Sequence, residues 1–364
     1  MNILRFEVPP PIMTDHAARP NRMRRIAIAL CVACAAAGLT LYLRVSGTSP
    51  FSDFDVMWLA SRGLIAGQNP YAAVTGRFQW PLHYPLPAVL VTTPFAVLPE
   101  IAAAAAWIGL GYGLLAYALT ECEWWPLLCL ANYPAVDAAQ MAQWSPLLTA
   151  IAFMPLLGFL AITKPTTGGA IAAAYVNRTG KLRNFVPIVT VAVTLIVTSF
   201  LLRPDWVQEW AGSIRTANHF KPLVLRPGGF LLLAALARWR RPEARLLALL
   251  AVTPQSTAAY DALPLILVIS SKREAFLFAW LSFAAVPFLT TAVGTGRGFT
   301  AAIDHNAPIL LVTTYAPALV MILRRPNEGP APRWVDRMLM STPEWLRGNP
   351  TPREGAAGTT CTSV

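Results

Sequence analysis

The stretch Ile26–Leu43, IAIALCVACAAAGLTLYL, decides the fold class. A run of this length without a charged residue is long enough to cross a bilayer as a helix, which takes roughly 17 to 25 residues. Apolar residues make up 55% of the 364-residue chain and charged residues only 13%, about half the share that is usual in soluble domains. Further apolar runs occur at 145–163, 185–202, 275–291 and 307–323. We therefore predict an all-α polytopic membrane protein.

Including shorter runs, the sequence predicts about 10 to 12 transmembrane helices. They are placed at 26–43, 86–99, 103–120, 124–137, 145–163, 165–176, 185–202, 229–238, 246–256, 260–270, 274–291 and 307–323. Several of these runs are too short to cross about 30 Å of hydrocarbon alone, so some are expected to be extended by polar flanks, broken in the membrane, or not crossings at all.

The distribution of basic residues predicts how the helices are oriented in the membrane. With the N-terminus inside, 20 of the 29 Lys and Arg residues fall on the cytoplasmic side, as the positive-inside rule requires. The net charge of +11 is then explained by the anionic membrane surface rather than by nucleic acid. The scheme predicts a multi-pass protein of the inner or plasma membrane, with both termini in the cytoplasm. Five scattered cysteines indicate neither a disulfide framework nor a metal site.

The chain accordingly divides into three parts. Residues 1–25 form a cytoplasmic N-terminal segment, and 26–323 form the transmembrane domain. The long extracytoplasmic loops of this domain are 44–85, the first one, and 203–228. The proline-rich residues 324–364 are expected to form a disordered cytoplasmic tail.

The first long loop carries two acids, Asp53 and Asp55, in a segment whose apolar spacing predicts an amphipathic helix lying in the membrane interface. Partial desolvation there raises the pKa of a carboxyl group toward the range of a general base, and a nearby cation such as Arg62 opposes that shift. Asp53 is the first candidate for such a base. The alternative is a solvated loop acid or a helix N-cap.

The same loop ends in an aromatic, proline-rich stretch that includes Trp80, His83 and Tyr84. Such rings can stack on a sugar, and His83 can bind a phosphate. The alternative is the aromatic belt that membrane proteins commonly have at the interface.

Lys164 lies between two apolar runs, where an unpaired ammonium group is costly. It is a candidate for binding a lipid phosphate, and the alternative is a side chain that extends to the interface. Further candidate phosphate ligands on the predicted outer side are Arg62, Arg203, Arg215, Lys221, Arg226, His219 and His305.

Signals of other enzyme classes are absent from the sequence, namely a Walker-type phosphate loop, a His-Glu-x-x-His motif and a nucleophile elbow. A divalent metal on Asp53 and Asp55 is conceivable, but the loop supplies too few oxygen ligands, so we assign no metal site. No cofactor is expected.

Five segments, in this order, resemble the GT-C-fold integral membrane glycosyltransferases, in particular the polyprenyl-phosphate-mannose-dependent α-mannosyltransferases of glycosyltransferase family 87. The matching segments are Asp53-Phe54 with Asn69-Pro70-Tyr71, His83-Tyr84-Pro85-Leu86-Pro87, Ala142 to Leu148, Lys164-Pro165, and Thr253 to Ser256 with Tyr260. Ala142 and Ser145 stand where the family commonly has Gly and Asn.

The resemblance implies an inverting transfer of a hexose, expected to be mannose, from a polyprenyl phosphate to a glycolipid or glycan acceptor on the extracytoplasmic side. It implies Asp53 as the general base with Asp55 as second choice. It further implies Lys164, His219 and His305 as ligands of the donor phosphate. Weaker candidates for sugar or acceptor contacts are Trp80, Tyr84, Tyr71, His83 and Gln143.

Two other functions stay open at this point. One is a transporter or flippase of a lipid-linked or anionic substrate, whose charges would be expected near the middle of the membrane on broken helices. The other is a catalytically silent member of the family. The helix count also puts Gln143 on the cytoplasmic side, so either the count is wrong around 121–145 or Gln143 has a structural role.

Overall fold

A computed structural model of the protein describes residues 21–49, 51–78, 80–175, 185–217, 220–289 and 299–329, together with 342, 343, 347 and 348. These residues are almost entirely helical, as the apolar composition predicts. The predicted cytoplasmic residues 1–20 and 177–184 and the site candidate His219 lie outside the described residues, as does most of the chain beyond 329.

The elements follow one another in chain order. The α-helices in the described ranges are α1 Arg22–Val45, α2 Asp53–Ile65, α3 Pro70–Val74, α4 Leu86–Thr92, α5 Glu100–Leu119, α6 Tyr133–Gln140, α7 Ser145–Thr149, α8 Pro165–Tyr175, α9 Val186–Leu202, α10 Trp206–Arg215, α11 Pro242–Val252, α12 Lys272–Ala284, α13 Phe299–Leu310 and α14 Ala316–Leu323. The 3₁₀ segments are Thr93–Val97, Trp125–Leu130, Ala150–Ala152, Pro155–Ile162, Leu223–Leu225, Gly229–Arg238, Ala259–Val268 and Val286–Phe288. Strand β1 Lys221–Pro222 pairs antiparallel with β2 Pro254–Gln255.

Three helices of the described chain are long and apolar enough to cross a membrane. They are α1, α5 and Thr300–Leu323, in which a π-helical turn at Leu311–Tyr315 joins α13 to α14. A fourth span results if α9 and α10, which are bent by 94° at their junction, count as one broken crossing. The membrane-protein class is therefore supported, whereas the 10 to 12 crossings expected from the sequence are not confirmed.

Prolines explain much of the difference, because proline lacks the amide hydrogen that a helix interior needs. The predicted span 145–163 divides into α7 and two 3₁₀ segments, the second of which begins at Pro155. The predicted span 124–137 divides into a 3₁₀ segment and α6. With 8 residues, α6 is about 12 Å long, far shorter than a bilayer.

Helices α1 and α5 pack antiparallel through small residues. A Cβ atom at Gly109 would lie 3.4 Å from the carbonyl oxygen of Ala33, and one at Gly113 would lie 3.2 Å from the Ala33 Cβ. Such close contact is the usual way in which helices associate in a membrane. At one end of the pair, Arg25 donates to the carbonyl oxygen of Tyr117 at 2.8 Å.

At the other end of this pair, Arg44 holds the start of α2. Its guanidinium lies 2.5 Å from Asp55 Oδ2 and 2.8 Å from Glu100 Oε1. Asp55 also accepts hydrogen bonds from the backbone N–H and the hydroxyl group of Ser52, each at 2.8 Å. Asp55 therefore caps α2 from inside the protein, the structural role that the sequence left open for the acids of this loop.

The expected helix in the first loop is present as α2, but it does not rest on lipid. Phe54 is 1% exposed and stacks on Trp107, and Met57 is fully buried. The apolar face of α2 therefore packs against the protein core, and the prediction of an interfacial helix with that face in lipid is wrong.

The first residues of the predicted disordered tail 324–364 are ordered and bonded to the rest of the protein. Arg238 Nε donates to the carbonyl oxygen of Arg325 at 2.5 Å, and Arg241 Nε donates to that of Pro326 at 2.6 Å. These bonds to backbone oxygens attach the start of the tail to the turn before α11. At these residues the prediction of a disordered tail is wrong.

We expect Arg44→Ala to lower the free energy of unfolding by about 3–5 kcal/mol, because it leaves the fully buried Asp55 carboxylate without its cation. Thermal unfolding of the purified protein in detergent measures this. Arg62→Ala is the matched control, since Arg62 is exposed and lies 5.0 Å from the Trp58 ring, an interaction of about 0.5–1 kcal/mol. Equal effects of the two substitutions would contradict the importance of the buried pair.

Candidate functional site

A cavity of about 410 Å³ lies where α2, the loop before α4, the start of α8, α10 and the segment after α11 meet. Apolar and aromatic groups form most of its wall, and its charged groups are few. The polar and charged side chains of the wall are Asp53, His83, Tyr84, Thr163, Lys164, Thr166, Gln255, Ser256, Tyr260 and Asp261. A largely apolar pocket with convergent polar groups is the usual form of a ligand site.

Asp53 is the first residue of α2, and its backbone N–H donates to the carbonyl oxygen of Met141 at 3.1 Å. Its Oδ2 accepts from the Tyr260 hydroxyl at 3.1 Å and from Gln143 Nε2. Both side-chain donors use the same oxygen, and none of the described residues donates to Oδ1. One oxygen of the carboxylate is therefore anchored and the other is available to a ligand.

Burial raises the pKa of Asp53 to about 6, while the Lys164 ammonium and the hydrogen bonds from Tyr260 and Gln143 act in the opposite direction. A carboxylate with this pKa is mostly ionised at neutral pH and still holds a proton better than an ordinary aspartate. This is the property that a general base requires.

Lys164 lies on the same cavity wall, directly before α8. Its Nζ donates to Asp261 Oδ1 at 3.1 Å and to Gln143 Oε1 at 3.4 Å, and it lies 5.3 Å from the centroid of the Tyr260 ring. Gln143 therefore links the two charged groups: its Oε1 accepts from Lys164, and its Nε2 donates to Asp53.

Asp261 is the charged cavity residue that the sequence analysis missed. It is 1% exposed and accepts from the Ser256 hydroxyl at 2.5 Å in addition to Lys164. It lies within the apolar 3₁₀ segment Ala259–Val268, which the sequence treated as a plain membrane span. An acid inside an apolar run is by itself a signal of a functional or paired group.

Asp137 was missed in the same way, inside the predicted span 124–137. Its Oδ2 accepts from the backbone N–H of Tyr260 at 2.9 Å. Burial raises the pKa of this carboxyl to about 7. Asp137 is not part of the cavity wall, and through this bond it holds the backbone of Tyr260 in position.

Two residues beside the site have an unusual backbone conformation. Ala142, which precedes Gln143, has φ = +46°, and Thr257, which follows Ser256, has φ = +54°. Residues other than glycine rarely adopt positive φ, and such strain is often found at functional sites.

Aromatic rings form a further part of the cavity wall. Tyr84 stacks on Trp144 at 6.0 Å between ring centroids, and the His83 ring meets Phe220 edge-on at 5.1 Å. Trp80 also lines this wall. The flat faces of such rings suit a sugar or an isoprenoid chain.

Helix α10 lines the cavity through Trp210 and Ile214. Trp210 Nε1 donates to the carbonyl oxygen of His83 at 2.9 Å, and Ser213 donates to that of Leu82 at 2.7 Å. Asn69 of the Asn-Pro-Tyr motif donates to Glu209 at 2.6 Å. The Asn69 side chain of the first loop thus helps to hold α10 in place.

Of the residues proposed from the sequence, Asp53, Lys164, His83, Tyr84 and Trp80 line this one cavity. Gln143 lies directly behind Asp53 and Lys164, so the helix count that put it on the cytoplasmic side is wrong around 121–145. The cause is α6, which with 8 residues is too short to be the membrane crossing that the count assumed.

The remaining candidates lie elsewhere. Asp55 is bonded to Arg44, Arg62 lies over the Trp58 ring, and the Tyr71 hydroxyl donates to the carbonyl oxygen of Tyr84 at 3.3 Å. His305 is exposed, with Nε2 3.2 Å from the carbonyl oxygen of Phe288. None of these four side chains lines the cavity, so a direct ligand contact there is not expected of them.

The chemistry open to this site is proton abstraction by a carboxylate next to an anion-binding ammonium group. Within the described ranges, no group of three or more His, Cys, Asp or Glu side chains is arranged to hold a metal ion. Comparison with protein-family models, with curated proteins and with solved structures found no match to this chain.

Proposed function

We propose that this chain is a membrane glycosyltransferase of the GT-C type that transfers a hexose, expected to be mannose, from a polyprenyl phosphate to a glycolipid or glycan acceptor. The observation that carries the proposal is that Asp53 and Lys164 line one cavity and are both bonded to Gln143. A group that accepts a proton and a cation that holds a phosphate are the two parts that this transfer requires.

In the proposed reaction, a hydroxyl group of the acceptor attacks the anomeric carbon of the sugar. Its proton passes to Asp53, whose Oδ1 faces no donor among the described residues, while Oδ2 stays bonded to Tyr260 and Gln143. The bond from the anomeric carbon to the phosphate oxygen breaks, and the electron pair leaves with the polyprenyl phosphate. Lys164 stabilises the charge that grows on this phosphate.

The apolar part of the cavity supports a lipid-linked donor. Helix α10 contributes Trp210 and Ile214 to the cavity wall. Helix α9, which precedes it, has an exposed apolar stripe that includes Val193, Val197 and Leu201. An isoprenoid chain that follows this stripe would bring its phosphate to the polar groups of the cavity. A water-soluble nucleotide sugar would gain nothing from such a surface.

The basic residues support an extracytoplasmic cavity. Helix α8 starts beside Lys164 and ends near Arg245, which donates to the carbonyl oxygen of Ala174 at 3.2 Å. The arginines of 238–245 thus cluster at the end of α8 that is remote from the cavity. By the positive-inside rule this end is cytoplasmic, so the proposal includes a GT-C-like bundle in the inner or plasma membrane with both termini inside.

We expect Asp53→Asn to lower the rate of mannose transfer by a factor of about 10²–10⁴, the usual contribution of a general base. The measurement is turnover of a radiolabelled polyprenyl-phosphate mannose by the purified protein. Asp304→Asn serves as the matched control, because Asp304 is an acid bonded to Arg226 at 2.8 Å that does not line the cavity. Unchanged turnover in both Asp53→Asn and Asp53→Ala would exclude Asp53 as the base.

The rate of transfer by the wild-type protein should rise with pH through about 6, because the base works only when Asp53 has lost its proton. Tyr260→Phe removes a hydrogen bond that favours the ionised form, so the pKa of Asp53 rises and the ascending limb should move up by about one pH unit. The pH dependence of kcat/KM, which reports the pKa values of the free enzyme, measures both. An ascending limb that stays at the same pH in Tyr260→Phe would contradict the role assigned to this bond.

Labelling from one side of the membrane tests where the cavity opens. In a protein without its native cysteines, Thr166→Cys and Ile214→Cys on the cavity wall should react with a membrane-impermeant reagent added outside intact cells. Lys272→Cys, at the exposed start of α12, should react only after the cells are opened. Reaction of all three from the same side would refute the proposed topology.

A further inference from the structure

Lys164 is engaged by a carboxylate before any ligand arrives. Its Nζ lies 3.1 Å from Asp261 Oδ1, and the two side chains are 16% and 2% exposed. A charge pair with this little solvent interacts more strongly than a pair on the surface. Any phosphate that binds Lys164 must therefore compete with Asp261.

The charges of the cavity wall also weaken phosphate binding. The wall carries two carboxylates, Asp53 and Asp261, but Lys164 is its one side chain of the Lys or Arg type among the described residues. A phosphate that enters adds another negative charge. The cavity therefore lacks the excess of positive charge that would hold a phosphate tightly.

Asp261 is firmly held in this position. The Ser256 hydroxyl donates to its second oxygen at 2.5 Å, and the strained Thr257 and the pairing of β2 with β1 fix the chain around Ser256. The carboxylate cannot turn away when a ligand binds without losing this bond. The competition with phosphate is thus built into the folded protein.

We propose that Asp261 is a positioning residue that limits how strongly Lys164 holds the lipid phosphate. Before the donor binds, Asp261 keeps the ammonium group directed at Gln143 and Asp53. After transfer it takes the ammonium group back and so speeds release of the polyprenyl phosphate. This inference rests on the proposed function, and it assigns product release to Asp261 through its ion pair with Lys164.

The test is the affinity for farnesyl phosphate, a short isoprenyl monophosphate, measured by isothermal titration calorimetry with the full-length protein in detergent. We expect Asp261→Asn to bind it at least about tenfold more tightly, because a negative charge next to Lys164 is lost. In steady-state assays the same variant should show a lower KM for the donor, a lower kcat and stronger inhibition by the product. Asp261→Glu, which keeps the charge, should bind with nearly the wild-type affinity.

Asp304→Asn is again the matched control and should leave the affinity unchanged, and thermal unfolding shows that each variant is folded. Equal or weaker binding of farnesyl phosphate by folded Asp261→Asn would overturn the inference, as would tighter binding with an unchanged kcat. Lys164→Ala combined with Asp261→Asn should lose the gain in affinity. A gain in affinity in a protein that transfers no sugar would support the effect on phosphate binding and refute the glycosyltransferase.

Discussion

An ammonium group in apolar surroundings needs a carboxylate or several strong acceptors beside it, and the arrangement of the cavity follows from this requirement at Lys164. Asp261 supplies the charge and Gln143 supplies a second acceptor, and Gln143 in turn donates to Asp53. A single chain of hydrogen bonds thus joins residues from four separate parts of the sequence. Because each group in the chain is bonded to the next, loss of one removes a hydrogen bond from its neighbour and weakens the arrangement.

Two neighbouring acids on α2 have different roles because they lie on different faces of the helix. Asp53 and Asp55 are two residues apart, so they point in directions about 200° apart on α2. Asp53 faces the cavity, whereas Asp55 faces Arg44 and the ends of α1 and α5. The buried pair fixes the start of α2 against α1 and α5, and this holds the Asp53 carboxylate at the cavity wall.

The helical class of the fold and the pairing of Asp53 with Lys164 in one site could be predicted from the sequence. The number of membrane crossings and the buried acids Asp137 and Asp261 could not. Composition indicates apolar helices, and polar residues near apolar runs pointed to Asp53 and Lys164. Hydropathy carries no information on backbone geometry, so 3₁₀ segments and short helices such as α6 were predicted as membrane spans. The wrong number of spans then placed Gln143 on the side of the membrane opposite to Asp53 and Lys164. Asp261 was missed because its neighbours are apolar, and its partner lies 97 residues away in the sequence.

The left-handed backbone at Ala142 and Thr257 has a consequence for which molecules the cavity accepts. Each strained residue stands next to a polar group of the site, Gln143 behind the cavity wall or Ser256 on it, so a shift of that group would require a change in a backbone conformation that has few alternatives. This part of the site is therefore rigid and suited to one arrangement of charge. Differences in the shape of a bound ligand would therefore have to be accommodated by the aromatic wall and by α10.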